Sequence, residues 1–222
     1  DHWATSLLDY RGVKISWLGH DGFRIKNGKT LYIDPYESRP GEEADILLIS
    51  HHHSDHYSPK DIQKIASAKT TVITTAAVKK QLSELEVKEV RAVKPGQKIS
   101  VDNITIETVP SYNVSKFRSP GRPFHPKEEE MLGFIITLND VRIYHAGDTD
   151  SIPEMGGLNV DVALLPVSGT YVMTAEEAAE ATKQIKPKIA IPMHYGVSIG
   201  NRSDAEKFKK LAACEVRILT KE

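Results

Sequence analysis

The sequence predicts an α/β protein: a single domain over residues 1–222 that folds as a four-layer αββα sandwich of two mixed β-sheets. The chain divides into two halves, and each half begins with short apolar strands and continues with strands mixed with helices. No low-complexity linker separates the halves. Histidine and aspartate residues follow several of the predicted strands, as expected where a rigid scaffold presents a site at its rim.

The first half is predicted to contain a series of short strands and two helices. A tight hairpin turn is expected at Asn27-Gly28. One helix begins at Pro59 and runs to about Ala68, and the other spans Ala76–Leu85. The strands are Val13–Trp17, Phe23–Lys26, Thr30–Ile33, Ile46–Ile49, Thr71–Thr74, Glu89–Val93 and Ile104–Val109.

The second half mixes strands and helices in the same way, and Asn139-Asp140 predicts a tight turn between its first two strands. The strands are Leu132–Leu138, Val141–His145, Val162–Pro166, Ile189–Pro192 and Arg217–Leu219. Each helix is introduced by a capping box: Thr174 with Glu177 before Ala175–Ile185, and Ser203 with Glu206 before a helix to about Ala213.

The segment 110–131 is an exception, because it has no clear period and contains Pro120, Pro123 and Pro126. A loop of this length inside a compact domain usually has a function. We expect it to contribute to substrate choice together with the segment Tyr36–Glu43.

Composition and charge argue against several classes of protein. The chain has 29 Lys and Arg against 30 Asp and Glu, a formal net charge of −1, whereas nucleic-acid binders normally show a basic excess. No apolar run approaches the ~20 residues of a membrane span, and Asp1–Ala4 shows no signal-peptide pattern. The single cysteine, Cys214, permits no intrachain disulfide, so we expect a cytoplasmic protein.

The run from His51 to His56 reads His-His-His-Ser-Asp-His and begins where an apolar strand ends. Residues i and i+2 of extended backbone point to the same side, so His51 and His53 can share one metal ion. Asp55 and His56 lie at the following turn and can reach a second ion nearby. Imidazole and carboxylate ligands without thiolate suit Zn, Mn or Fe.

Further ligands follow other strands: Asp34 precedes the histidine run, and Asp148 and His194 follow it. This ordered set resembles the metallo-β-lactamase-fold superfamily of metal-dependent hydrolases, whose fold is the αββα sandwich. Trp17-Leu18-Gly19-His20 and the stretch Ile143–Asp150 look most like one branch of that superfamily. The branch includes small metal-dependent hydrolases, L-ascorbate-6-phosphate lactonase and the N-acylphosphatidylethanolamine type of phospholipase D.

The resemblance implies two divalent metal ions, with Zn as the first choice and Mn or Fe as alternatives. Asp148 would bridge the two ions, and Asp34 would orient the ligands without binding metal. His20 could line the site but is not expected to be a ligand. The remaining ligands implied are His51 and His53 for the first ion, and Asp55, His56 and His194 for the second.

One position departs from the family pattern. The family supplies a further histidine to the first ion from the loop after the strand that here ends at Val109, and this chain has Asn113 there. Three outcomes are open: Asn113 is an oxygen ligand, His125 of the same loop takes the place of the missing histidine, or only one ion is held tightly. The second outcome is favoured. His52 and His145 are expected to be structural.

The implied activity is hydrolysis of a small ester, lactone or phosphodiester by a metal-activated hydroxide. Asp55 and Asp148 would be the catalytic carboxylates, because they can hold the nucleophile in place and accept its proton. The substrate is expected to be a small molecule, and it can carry an anionic group. A single-metal sensing domain is the alternative, a nuclease is less favoured, and self-association into a homo-oligomer is left open. Basic residues that could pair with an anionic substrate are Arg39, Lys116, Arg118 and Arg122.

Overall fold

Two mixed β-sheets of seven strands each form the centre of the structure, and helices accompany both. The structure is a computed structural model that describes residues 6–222, so the signal-peptide expectation for Asp1–Ala4 lies outside the described residues. The predicted α/β class and four-layer sandwich are confirmed.

The first sheet keeps the order of the chain. Its strands are β1 (Leu8–Tyr10), β2 (Val13–Gly19), β3 (Gly22–Asn27), β4 (Lys29–Ile33), β5 (Ile46–Leu48), β6 (Thr71–Thr74) and β7 (Glu89–Ala92). Neighbours from β1 to β4 pair antiparallel, and neighbours from β4 to β7 pair parallel. The sheet is therefore mixed, and its direction pattern changes at β4.

The second sheet has the spatial order β16-β15-β14-β13-β12-β9-β8, and a small separate hairpin interrupts the chain between β9 and β12. The strands are β8 (Lys98–Val101), β9 (Ile104–Pro110), the hairpin strands β10 (Phe117–Ser119) and β11 (Arg122–Pro123), β12 (Leu132–Leu138), β13 (Val141–His145), β14 (Val162–Pro166), β15 (Ile189–Met193) and β16 (Glu215–Val216). Strands β8, β9, β12 and β13 pair antiparallel, and β13 to β16 pair parallel.

The layers are visible in the alternation of side chains along β5. Ile46 and Leu48 belong to the main core, which both sheets share, whereas Leu47 joins a second cluster with Ile62 and Val78 of the helices. Both clusters exclude water, so β5 is buried on both faces. The helices are α1 (Pro59–Ile65), α2 (Ala76–Lys79), α3 (Ala175–Ile185) and α4 (Arg202–Leu211).

Two helices of the first half are shorter than predicted. α1 ends at Ile65 rather than near Ala68, because Ala66 already has extended backbone with φ −78° and ψ 142°. α2 ends at Lys79 rather than Leu85, and the chain continues in turns. The bounds of α3 and its capping box are confirmed.

Other differences lie at element ends and sheet edges. The capping box of α4 is formed by Asn201 with Asp204, so the predicted pair Ser203 with Glu206 is wrong. Strand β16 ends before the predicted segment Arg217–Leu219. The sequence analysis missed β1, β8 and the β10–β11 hairpin. β10 is exposed along its length and lacks the apolar alternation that such predictions need, whereas β8 alternates polar and apolar residues over only four positions.

Candidate metal centre

The candidate ligands lie after the carboxyl ends of strands from both sheets. Asp34 follows β4, the histidine run follows β5, Asp148 follows β13 and His194 follows β15. The backbone turns sharply at these points, with positive φ at Asp34 (44°), Gly147 (67°) and His194 (62°). Ligand sites in open α/β sheets form where parallel strands end. Residues that are far apart in the sequence therefore lie close together in this structure.

Among the described residues, five overlapping groups of His and Asp side chains lie close enough to hold a metal ion, and two adjacent groups contain most of the predicted ligands. Within each group, one potential ligand atom per residue lies within 4.8 Å of those of the other members. Imidazole and carboxylate groups gathered at this spacing can hold a divalent transition metal ion. The first group is His51, His53 and His125, and the second is His20, Asp55, His56 and His194.

Asp148 lies between the two groups. Its Oδ2 atom is 2.9 Å from His56 Nε2 and 3.4 Å from His194 Nε2 in the second group. The same oxygen is 3.2 Å from His125 Nε2 and 3.7 Å from His51 Nε2 in the first group. One buried carboxylate therefore touches both groups, as a bridging ligand must.

Several inward-facing atoms of the site have no hydrogen-bond partner among the described residues. They are buried, and leaving such atoms unpaired costs about 1–3 kcal/mol each in ordinary protein surroundings. A bound cation would satisfy all of them, so the donor set fits the metal ions that the resemblance implies. The atoms are Nε2 of His51, His56 and His194, and Oδ1 of Asp148.

Asp34 determines which nitrogen of two imidazoles faces the centre. His56 Nδ1 lies 2.9 Å from Asp34 Oδ2, so it donates to that carboxylate. Ser50 Oγ also donates to Asp34 Oδ2 (2.5 Å), and it must therefore accept from His51 Nδ1 at 2.8 Å. In both histidines, Nε2 is therefore the nitrogen that faces the centre, and it can bind a metal when it carries no proton.

The Asn113 position connects directly to His125. Asn113 Oδ1 accepts hydrogen bonds from the backbone N (2.7 Å) and from Nδ1 (3.0 Å) of His125. Its Nδ2 atom donates to the carbonyl of Tyr171 at 2.9 Å. The Asn113 oxygen is thus already engaged, and His125 is the residue that joins His51 and His53. Of the three outcomes left open by the sequence, the geometry favours His125.

His20 lies closer to the centre than the sequence analysis placed it. Its Nε2 atom is 2.7 Å from Asp55 Oδ2, and its ring centroid is 4.2 Å from that of His194. Since the Asp55 carboxylate accepts this hydrogen bond, His20 holds Asp55 in position. Its Nδ1 atom is buried and has no partner among the described residues.

Mutual electrostatics set the protonation of the second group. Burial lowers the pKa of His56, but the carboxylates of Asp148 and Asp55 outweigh burial and raise it well above its ordinary value. Burial raises the pKa of Asp148, but His56 and His194 outweigh it and hold that pKa well below its ordinary value. The pKa of Asp55 is likewise lowered, because His56 and the hydrogen bond from His20 outweigh burial.

The first group has the opposite character. Burial, reinforced by the nearby His56, lowers the pKa of His51 well below its ordinary value. Burial, reinforced by His125, lowers the pKa of His53 to about 4. These two imidazoles are therefore neutral at pH 7 and carry free lone pairs.

Three residues of the site escaped the sequence analysis. Ser50 directly precedes the histidine run, and Ser168 Oγ lies 2.9 Å from His194 Nδ1. Asp21 is fully buried, neither of its oxygens has a partner among the described residues, and Oδ2 is 3.7 Å from His56 Nδ1. Burial, and then the charge of Asp148, raise the pKa of Asp21 well above its ordinary value. Its position next to His20, after an apolar strand, was the available signal.

The surroundings of His52 and His145 fit the structural roles expected for them. His145 is buried, and its Nε2 donates to the carbonyl of Asp21 at 2.8 Å. His52 lines a separate cavity with Thr75 and Met131.

A cavity of about 320 Å³ opens onto the metal centre. Its base includes candidate ligands, and its outer part carries a basic and two aromatic side chains. Pockets of about this size accept small ligands. The lining is His53, Ser54, Asp55, Arg118, Phe124, His125, Asp148 and Tyr171.

Residues 14–194 match the profile of the beta-lactamase superfamily domain. The chain therefore belongs to this superfamily, and the resemblance seen in its sequence is confirmed. Within it, the chain is 34% identical over 214 residues to a UPF0173 metal-dependent hydrolase of Thermoplasma acidophilum, covering 90% of this chain and 91% of the relative. It is a metal-dependent hydrolase of the metallo-β-lactamase fold.

Solved structures agree with this assignment. A candidate metal-dependent hydrolase from Parabacteroides distasonis superposes with a TM-score of 0.83 at 30% identity, covering 98% of this chain and all (100%) of the other. A candidate zinc-dependent hydrolase of the metallo-β-lactamase superfamily from Thermotoga maritima shares the fold, with a TM-score of 0.62 at 23% identity and coverage of 93% and 98%. Within residues 6–222, no helix is long and apolar enough to cross a membrane.

Proposed function

We propose that the protein hydrolyses a small ester, lactone or phosphodiester at a centre of two divalent metal ions. The observation that carries this proposal is the position of Asp148, whose Oδ2 contacts histidines of both groups across 2.9 to 3.7 Å. A carboxylate shared in this way is typical of a binuclear centre. The unpaired Nε2 atoms that surround it support the same interpretation.

The residues divide between the ions according to the two groups. His51, His53 and His125 would hold the first ion, and Asp55, His56 and His194 the second, with Asp148 shared. His20, the remaining member of the second group, would hold Asp55 in position through their hydrogen bond. Zn suits this set of imidazoles and carboxylates, and Mn or Fe are the alternatives. Bound ions of this kind lower the pKa of water and polarise the oxygen on which negative charge develops.

The chain's own residues would orient the metal ligands and accept the proton that the attacking water releases. Asp34 and Ser50 fix the imidazoles of His51 and His56, so the ligands need no reorganisation. Asp55 lines the cavity, and His20 occupies its Oδ2. Oδ2 keeps a second lone pair with which it would bind the second ion, and Oδ1 is left to receive the proton of the attacking water. The scissile bond then breaks, and the leaving oxygen takes up a proton, so that water has been added across the bond.

Two other functions are less well supported. The single-metal sensing domain was motivated by Asn113, and the presence of His125 beside His51 and His53 removes that motive. A nuclease would need a basic surface, and the net charge of −1 does not favour one. The single cysteine, Cys214, remains the reason to propose the cytoplasm as the compartment.

Metal content and turnover test the proposal together. We expect two Zn, Mn or Fe ions per purified chain by elemental analysis, and turnover of at least one member of an ester, lactone and phosphodiester panel. A chelator should abolish turnover and added metal should restore it. One ion per chain without turnover would overturn the proposal.

His52 offers a matched control for the ligand assignment. His53 lines the cavity at the metal centre, whereas the adjacent His52 lines a different cavity. His53→Ala should lose one ion and most activity, and His52→Ala should retain two ions and activity within about threefold of the unmodified protein. Equal losses in the two variants would refute the assignment of His53.

A further inference from the structure

We propose that Arg118 binds an anionic group of the substrate, so that the enzyme selects small molecules carrying a carboxylate or phosphate besides the bond to be cleaved. This inference rests on the proposed hydrolase function and names the substrate class of the same site. It is carried by the position of one unpaired guanidinium in the wall of the cavity.

Arg118 lies on β10 and lines the cavity together with Asp55, His125 and Asp148 of the metal centre. Among the described residues that form this lining, it is the one arginine or lysine. Its side chain has no ion pair or hydrogen bond to any residue in the range 6–222. The five N–H donors of the guanidinium are therefore available in the geometry that carboxylate and phosphate match with two parallel hydrogen bonds.

An aromatic support holds the guanidinium in place. The Arg118 Cζ atom lies 5.2 Å from the centroid of the Phe124 ring, a cation–π contact. Phe124 in turn packs edge-on against Tyr171, with ring centroids 4.5 Å apart. Stacking on a ring leaves the edges of the guanidinium free to donate, and it reduces the conformational freedom lost when an anion binds.

The segment that carries Arg118 is tied to the metal centre. Asp150 is buried two positions after Asp148, and its Oδ2 accepts hydrogen bonds from the backbone N of Val114 (2.8 Å) and Ser115 (2.9 Å). These bonds fix the start of the segment leading to β10. Arg118 therefore has a defined position relative to the bridging carboxylate, as recognition of one particular substrate requires.

The other basic residues of this region are engaged or lie elsewhere. Lys116 pairs with Asp150 at 3.0 Å and with Glu177 at 2.7 Å, so its charge is already compensated. Arg122 is exposed on β11 of the same hairpin, but it is not part of the cavity lining. Arg39 does not line the cavity either, so the geometry points to Arg118 among the four basic residues that the sequence singled out.

A pair of esters that differ only in charge tests the inference. Mono(4-nitrophenyl) glutarate and 4-nitrophenyl valerate have acyl chains of equal length, ending in a carboxylate and a methyl group respectively. The metal-loaded protein should prefer the glutarate ester by about tenfold or more in kcat/KM, the value of one charge-assisted hydrogen bond or more. Arg118→Met keeps much of the side-chain length and should reduce this preference to near unity, mainly through KM. It should leave the valerate ester within about twofold.

Arg122→Met is the matched control, since it removes the same charge from the same hairpin outside the cavity. It should leave both esters unchanged. Arg118→Lys should recover part of the preference, because it restores the charge without the planar fork. An unchanged preference in Arg118→Met, or the same loss in Arg122→Met, would overturn the inference.

Binding measurements separate this inference from the proposed function. Calorimetric titration of the metal-loaded protein with glutarate and with inorganic phosphate requires no turnover. Arg118→Met should weaken at least one of them about tenfold relative to the unmodified protein and to Arg122→Met, and the anion affected more identifies the preferred group. Equal affinities in all three proteins, or no binding to the unmodified protein, would refute the role of Arg118 even if esters are hydrolysed.

Discussion

His125 donates from Nδ1 to Oδ1 of Asn113 across 3.0 Å, and this bond turns its Nε2 atom toward Asp148 at 3.2 Å. Asn113 stands where the family resemblance implies a histidine for the first ion, and here it supports a histidine twelve positions further along the chain. The amide thus contributes to the site by orienting an imidazole.

Replacing the amide tests this relationship. Asn113→Ala removes the acceptor that fixes the His125 ring, and we expect the affinity for the first ion to fall about 10- to 100-fold while the second ion remains bound. Asn113→Asp retains an acceptor at the same place and should bind two ions. Competition against a chelating dye measures both affinities. Two ions bound at unchanged affinity in Asn113→Ala would show that His125 is not a ligand.

Acidification should release the two ions at different pH values. His56 has a pKa raised by Asp148 and Asp55, so near neutral pH the second ion must displace its proton. Its apparent affinity should rise by about tenfold per pH unit until that raised pKa is exceeded. His53, with a pKa of about 4, imposes no such competition above about pH 5, and the lowered pKa of His51 acts in the same direction. Dialysis at pH 8 should retain two ions, and dialysis at pH 6 should deplete the second first. Simultaneous loss of both ions would contradict this account.

Asp21 should destabilise the metal-free protein at neutral pH. A carboxyl whose pKa is raised on folding binds a proton more tightly in the folded state, so its contribution to stability falls as pH rises above its ordinary value of 3.8. Asp21→Asn should therefore raise the free energy of unfolding of the metal-free protein at pH 7 by roughly 1 kcal/mol or more. The gain should vanish near pH 3, where both states are protonated.

Asp140→Asn, at an exposed turn, is the control for this change and should shift stability little at any pH. Urea titrations at several pH values measure both variants. A stability gain in Asp21→Asn that does not depend on pH would point to packing rather than charge.

Gly147 is required by the turn that presents Asp148. Its φ is +67°, and a Cβ atom there would lie 2.7 Å from the carbonyl oxygen of Leu132 and 2.9 Å from Ser111 Oγ. Gly28 has a similar φ of +74° but nothing within 4 Å. Gly147→Ala should therefore cost about 1–3 kcal/mol more than Gly28→Ala and should lower activity by displacing Asp148. Thermal unfolding and metal content of both variants provide the measurement, and equal costs would remove the steric argument.

The fold and the positions of the two groups were largely predictable because both depend on local patterns. Apolar strands ending in histidine or aspartate specify where each side chain lies, and the capping box at Thr174 specifies a helix start. The roles of His20 and Asp21 could not be predicted in the same way. Each depends on a contact across the molecule, such as the 2.7 Å separation of His20 Nε2 and Asp55 Oδ2, which no periodicity records.

The contact between His56 and Asp148 joins residues that follow strands of different sheets. The centre thus lies on the seam of the sandwich, and neither half of the chain holds a complete set of ligands. Ions bound there would act as cross-links in a protein whose single cysteine permits no internal disulfide. The free energy of metal binding would then also hold the two sheets together, so that a chelator should loosen the sandwich as well as stop the reaction.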